Sequence, residues 1–82
     1  MMSDWVEKND KLTKTFSFET FMDAMKWMQL CAPSIDELNH HPERKNVYNT
    51  ITVELTSHDA WDVVTEKDWQ LAKLLDELYT QN

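Results

Sequence analysis

The chain carries three histidines in two places, the adjacent pair His40–His41 and the lone His58. Asp36 precedes His40 by four residues. Imidazole titrates near pH 6.5, so it gives or takes a proton at neutral pH. A positioned acid–base pair contributes about 10²- to 10⁴-fold in rate. The pair lies in the polar run from Asn39 to Lys45 that leads into a strand, and His58 lies where that strand ends. If the strand pairs with a neighbour at that end, the three rings can line one cleft. Spacing alone leaves three readings open: proton transfer, a metal site, or histidines that satisfy structural hydrogen bonds. Against a metal, adjacent histidines rarely converge on one ion, and the only thiol, Cys31, falls on an apolar helical stripe. Ser57 and His58 are neighbours, but no nucleophile-elbow motif surrounds the serine.

Bulk properties narrow the classes further. With 82 residues the chain is one small domain, residues 1–82, that buries roughly 60–65% of its unfolded surface. Such a core is marginal, so a homo-oligomer is expected. Four Trp, three Phe and two Tyr supply large buried areas to that small core. Acids outnumber bases by 15 to 8, and no Lys/Arg run is longer than Arg44–Lys45. This argues against binding nucleic acid or an anionic membrane. A single cysteine permits no intrachain disulfide, and no apolar stretch reaches the roughly 20 residues of a membrane span. A cytoplasmic protein is expected. Glycine is absent, which excludes Gly-rich phosphate cradles and leaves turns to Asn and Asp.

The elements that must position the histidines follow from periodicity. Trp5 to Glu7 and Lys11 to Phe18 read as two strands around the turn Lys8-Asn9-Asp10. With Ser17 as N-cap, Phe18, Phe21, Met22, Met25 and Met28 recur at helical spacing to about Cys31. Pro33 is expected to kink or end that helix. Ser34 to Leu38 reads as a short helical piece, with Ser34 and Glu37 as its capping box. Val47 to Thr56 alternates apolar and polar residues and is the clearest strand. A further strand is expected around Trp61 to Val64. A last helix starts at Thr65, with Asp68 at its third position and Leu71, Leu74, Leu75 and Leu78 as its stripe. The order points to an α+β domain, an antiparallel sheet of about four strands with helices packed on one face.

On these residues the chain resembles the pterin-4a-carbinolamine dehydratase family. That family's pattern is an acid, three residues, His-His-Pro, five residues, an aromatic, nine residues, His, and an Asp further on. Asp36, His40, His41, Pro42, Tyr48, His58 and Asp68 occupy those positions. Phe16-Ser17-Phe18 followed by Phe21 is similar to the family's aromatic entry to its first helix, and Trp5 to its first-strand tryptophan. The resemblance covers nearly the whole chain. Three departures stand out. Asn39 replaces a frequent Asp, Arg44 replaces a frequent Trp, and only four residues precede Trp5.

The resemblance implies a cofactor-free enzyme that holds no metal and dehydrates a 4a-hydroxytetrahydropterin to quinonoid dihydropterin, in support of tetrahydrobiopterin recycling. It implies His40 and His41 as the main proton-transfer pair, with His58 assisting. Asp36, Asn39, Thr56, Ser57 and Trp5 would meet or wall the pterin. Pro42, Tyr48 and Asp68 would support the site; read from the residues alone, Pro42 is a turn residue, Tyr48 a packing residue and Asp68 the acid at a helix start. It also implies a dimer or tetramer. Some members also act as dimerisation cofactors for a homeodomain transcription factor, so a non-catalytic accessory protein on the same fold is the alternative.

Overall fold

The computed structural model describes residues 4–80. Two strands, β1 (Val6–Lys8) and β2 (Lys11–Ser17), precede the long helix α1 (Phe21–Leu38). Strands β3 (Glu43–Val47) and β4 (Thr50–Leu55) follow, then a single 3₁₀ turn (His58–Ala60) and helix α2 (Glu66–Thr80). The four strands form one antiparallel sheet in the order β1-β2-β4-β3.

The register sets which face is apolar. Leu12 pairs with Leu55, Lys14 with Val53 and Phe16 with Ile51, so the apolar members share one face. Leu12, Phe16, Ile51, Val53 and Leu55 are buried there under Ala24, Trp27, Cys31 and Ile35 of α1 and Leu71, Ala72 and Leu75 of α2. Trp27 anchors an aromatic cluster with Phe16, Phe18 and Tyr79, its ring centroid 4.5 Å from that of Phe16. The opposite face is polar, with the Thr15 and Thr52 hydroxyls 3.0 Å apart. The α+β architecture, with four antiparallel strands and helices on one face, is as expected.

Four local expectations are corrected. Helix α1 is capped by Thr20, whose side chain accepts the Asp23 N–H, not by Ser17, which lies in β2. The helix runs through Pro33 to Leu38, because Ile35 continues the buried stripe and outweighs the hydrogen bond that proline forgoes. The long strand from Val47 is two strands. Tyr48, at φ 52°, makes the reversal between β3 and β4, held by Asn46 Nδ2 donating to the carbonyls of Tyr48 and Thr50. Trp61 and Asp62 take φ of 67° and 60°, which a strand cannot accommodate, so Val63 forms only an isolated bridge with Ser57.

The expected glycine-free turn is found. Asn9 and Asp10 have φ of 54° and 61°, a two-residue connection between Lys8 and Lys11 in which both central residues are left-handed.

Candidate active site

The end of α1 delivers the histidine pair. Asn39 closes the helix in the left-handed conformation, its N–H bonded to the Asp36 and Ile35 carbonyls. The His40 N–H also reaches the Ile35 carbonyl, at 3.4 Å. This tight reversal carries His40 to the start of α2, where its Nε2 lies 2.5 Å from Oδ1 of Asp68. Asp68 is fully buried. Its other oxygen accepts the Ser57 hydroxyl at 2.8 Å and the Thr65 N–H at 2.8 Å. The Thr65 bond is half of a capping box, so Asp68 both starts α2 and holds His40. A carboxylate that accepts from all sides leaves Nε2 as the donor, and Nδ1 is then the His40 nitrogen free for other chemistry. Burial of this carboxyl is offset by three hydrogen bonds, from His40, Ser57 and Thr65.

His41 turns the other way. It is more exposed, and its Nε2 is 4.0 Å from Asp36 Oδ1. Both line a recess of about 390 Å³ with Gln29, Pro33 and Arg44, within the size range of small-ligand pockets. Pro33 has no N–H to offer the Gln29 carbonyl one turn earlier.

His58 opens the 3₁₀ turn with its side chain 76% exposed, and its Nδ1 is 2.5 Å from Asp62 Oδ1. It lines a different recess, of about 380 Å³, with Asn9, Asp10, Lys11, Glu43 and Thr56. The structure therefore joins His40, Asp68 and Ser57 in one network, while His41 and His58 face separate recesses and not one cleft. His58 connects to the network through the chain itself, as the residue after Ser57.

The other expected site residues divide. Asn39 is exposed beside the pair and acts as the helix C-cap. The Thr56 hydroxyl donates to the Asp10 carbonyl at 3.0 Å, tying the β1–β2 turn to the His58 recess. The Ser57 hydroxyl is buried and held by Asp68 and Thr65, so it faces inward and not toward a ligand. Trp5 packs edge-on against Phe16 and donates its Nε1–H to Asp76 of α2. It lines a groove with Lys14, Trp69 and Asp76 that contains no histidine, because β1 is the sheet edge opposite β3. Pro42 leads from His41 into β3. Tyr48 is 68% exposed at the hairpin tip, so it is not the packed residue expected.

Sequence reasoning missed Asp62 as a partner of His58, and Gln29 and Arg44 as neighbours of His41. The four-residue interval from His58 to Asp62 was a readable signal; the other two depend on how α1 and β3 converge. Among the described residues, no three His, Cys, Asp or Glu side chains converge as a metal cluster requires, and no helix is long and apolar enough to cross a membrane.

A family model described as pterin 4 alpha carbinolamine dehydratase matches residues 1–78. A protein of Rhizobium meliloti (strain 1021), provisionally named a pterin-4-alpha-carbinolamine dehydratase, is 46% identical over 78 residues, covering 93% of this chain and 74% of its own. A Solibacter usitatus (strain Ellin6076) protein with the same provisional name is 46% identical over 76 residues, covering 93% and 79%. The crystal structure of a transcriptional coactivator/pterin dehydratase from Brucella melitensis superposes with a TM-score of 0.85 at 31% identity, over 92% of this chain and 81% of that one. A pterin dehydratase-like protein identified as a RuBisCO assembly factor in the alpha-carboxysome shares the fold, with a TM-score of 0.74 at 18% identity over 92% and 86%.

Proposed function

Because the chain belongs to the pterin 4 alpha carbinolamine dehydratase family, we propose that it dehydrates a 4a-hydroxytetrahydropterin to quinonoid dihydropterin by histidine acid–base catalysis. In this reaction the C4a–O bond breaks and its electron pair leaves on oxygen. That oxygen takes a proton from a general acid and departs as water. The N5–H electrons form the C4a=N5 bond as the proton passes to a general base. Both proton transfers suit imidazole at neutral pH.

The observation that carries this reading is the fixed His40 ring. Its Nε2 is anchored on buried Asp68, which leaves Nδ1 as the working atom of a ring that cannot swing. His41, beside Asp36, is the second member of the pair, and His58 assists. Asp36 and Thr56 are the polar groups we assign to the pterin edge, with Asn39 at the rim. The substrate is a small pterin, and the working assembly is a homo-oligomer in the cytoplasm.

The test is the decay of 4a-hydroxytetrahydropterin, followed by stopped-flow ultraviolet absorbance in the presence of a chelator. Acceleration by the wild-type protein supports the reading; a folded protein that leaves the spontaneous rate unchanged removes it. The separation of His41 from His58 into two recesses favours a second reading, a non-catalytic accessory protein on the same fold, and the same assay decides between them.

A further inference from the structure

The loop after the 3₁₀ turn holds its shape without glycine. Trp61 and Asp62 both lie in the left-handed region, at φ 67° and 60°. A bulky residue there is uncommon, and Trp61 is 92% exposed, so packing of the indole does not repay the conformation. What the conformation achieves is a return of the chain onto His58. The Ser57 carbonyl accepts the N–H groups of both Ala60 and Asp62, at 3.1 and 3.0 Å, and the Ser57 N–H reaches the Val63 carbonyl at 3.0 Å. Ser57 is itself pinned by Asp68. Asp62 is thus clamped with its Oδ1 2.5 Å from Nδ1 of His58.

We infer that Asp62 is a positioning residue that holds His58 in the tautomer protonated on Nδ1, so that the Nε2 lone pair is the atom offered to substrate. A carboxylate only accepts, so the proton in this contact belongs to the imidazole. When Nε2 takes a proton the ring becomes an imidazolium, and the same carboxylate stabilises it. The other charged groups around this recess are Asp10, Lys11 and Glu43. Lys11 is engaged by Glu43 at 3.6 Å and Glu54 at 3.4 Å, and among the described side chains Asp62 is the carboxylate in ion-pair contact with the ring. The catalytic half of this inference rests on the dehydratase reading; the tautomer half does not.

The experiment is long-range ¹H–¹⁵N correlation of histidine-labelled protein at a pH where His58 is neutral, on the wild type, Asp62→Ala and Asp62→Asn, alongside turnover of 4a-hydroxytetrahydropterin. His58 is expected to show the Nδ1–H form in the wild type. It should revert in Asp62→Ala to the Nε2–H form that unconstrained side chains favour, and recover in part in Asp62→Asn, which keeps an acceptor oxygen. The Asp62→Ala kcat should fall by about 10-fold with KM nearly unchanged. A wild-type His58 in the Nε2–H form, or a tautomer indifferent to Asp62→Ala, overturns the inference. Wild-type kcat in Asp62→Ala overturns its catalytic half. A wild type without turnover instead overturns the dehydratase reading, and the spectra still decide the role of Asp62.

Discussion

His40 Nε2 and Asp68 Oδ1 stand 2.5 Å apart, which joins the residue just past the end of α1 to the third residue of α2. The same carboxylate takes the Ser57 hydroxyl and the Thr65 N–H. One buried acid thus ties together the segment that follows α1, the segment that follows β4 and the start of α2. The pairing makes His40 rigid, and it makes the site and the fold depend on the same residue.

Removing that acid should be costly. Asp68→Ala strands the His40 and Ser57 donors and uncaps α2, so a loss of about 3–5 kcal/mol is expected, as for breaking a buried pair. Ser57→Ala removes one of the three bonds to Asp68 and should cost about 1–3 kcal/mol. Urea unfolding monitored by tryptophan fluorescence measures both. A Ser57→Ala protein as stable as wild type would contradict the buried network.

Cys31 should be inert. Burial in the core pushes its thiol up to about 11, above the ordinary thiol value of 9.0. The thiolate is the reactive form, so near pH 8 the folded protein should react with a thiol reagent about 100-fold more slowly than the unfolded chain, from ionisation alone. The sign for stability follows. The unfolded thiol ionises from pH 9 upward while the folded one stays protonated, so the contribution of Cys31 is intact below pH 9 and declines as pH rises toward 11. Fast labelling under native conditions would place the thiol at the surface.

Trp61→Gly should stabilise the protein. The left-handed conformation costs an L-residue about 1–2 kcal/mol, and glycine loses about 0.5–1 kcal/mol more entropy on folding. The exposed indole gives up little packing. A net gain of several tenths to about 1 kcal/mol is expected, read as a higher midpoint in thermal unfolding. A lower midpoint would mean that the indole itself holds the loop.

Much of this was readable from residue order, and the failures have particular causes. The alternation of Ile51, Val53 and Leu55 announces a half-buried strand, and the three residues sit on the core face. Asp68 three after Thr65 announces a helix start, and it is one. Strand β3 was illegible because all five of its residues are exposed, so no apolar period marks it. Tyr48 and Trp61 adopt left-handed backbone that their types do not favour, and Asp62 follows Trp61 into it, which hid one turn and suggested a strand that does not form. Pro33 read as a helix end because local propensity ignores what Ile35 buries two residues later. The histidine spacing marked the candidate residues, but the partition of His41 and His58 into two recesses depends on how the helix end and the 3₁₀ turn sit around the sheet.

The most direct test of the central claim is stopped-flow absorbance of 4a-hydroxytetrahydropterin decay with wild type and a folded His40→Ala/His41→Ala variant, both with chelator present. Metal-free histidine catalysis predicts acceleration by the wild type that survives the chelator and falls by about 10²-fold or more in the variant. A wild type that does not accelerate the decay, or a variant as fast as wild type, would contradict it.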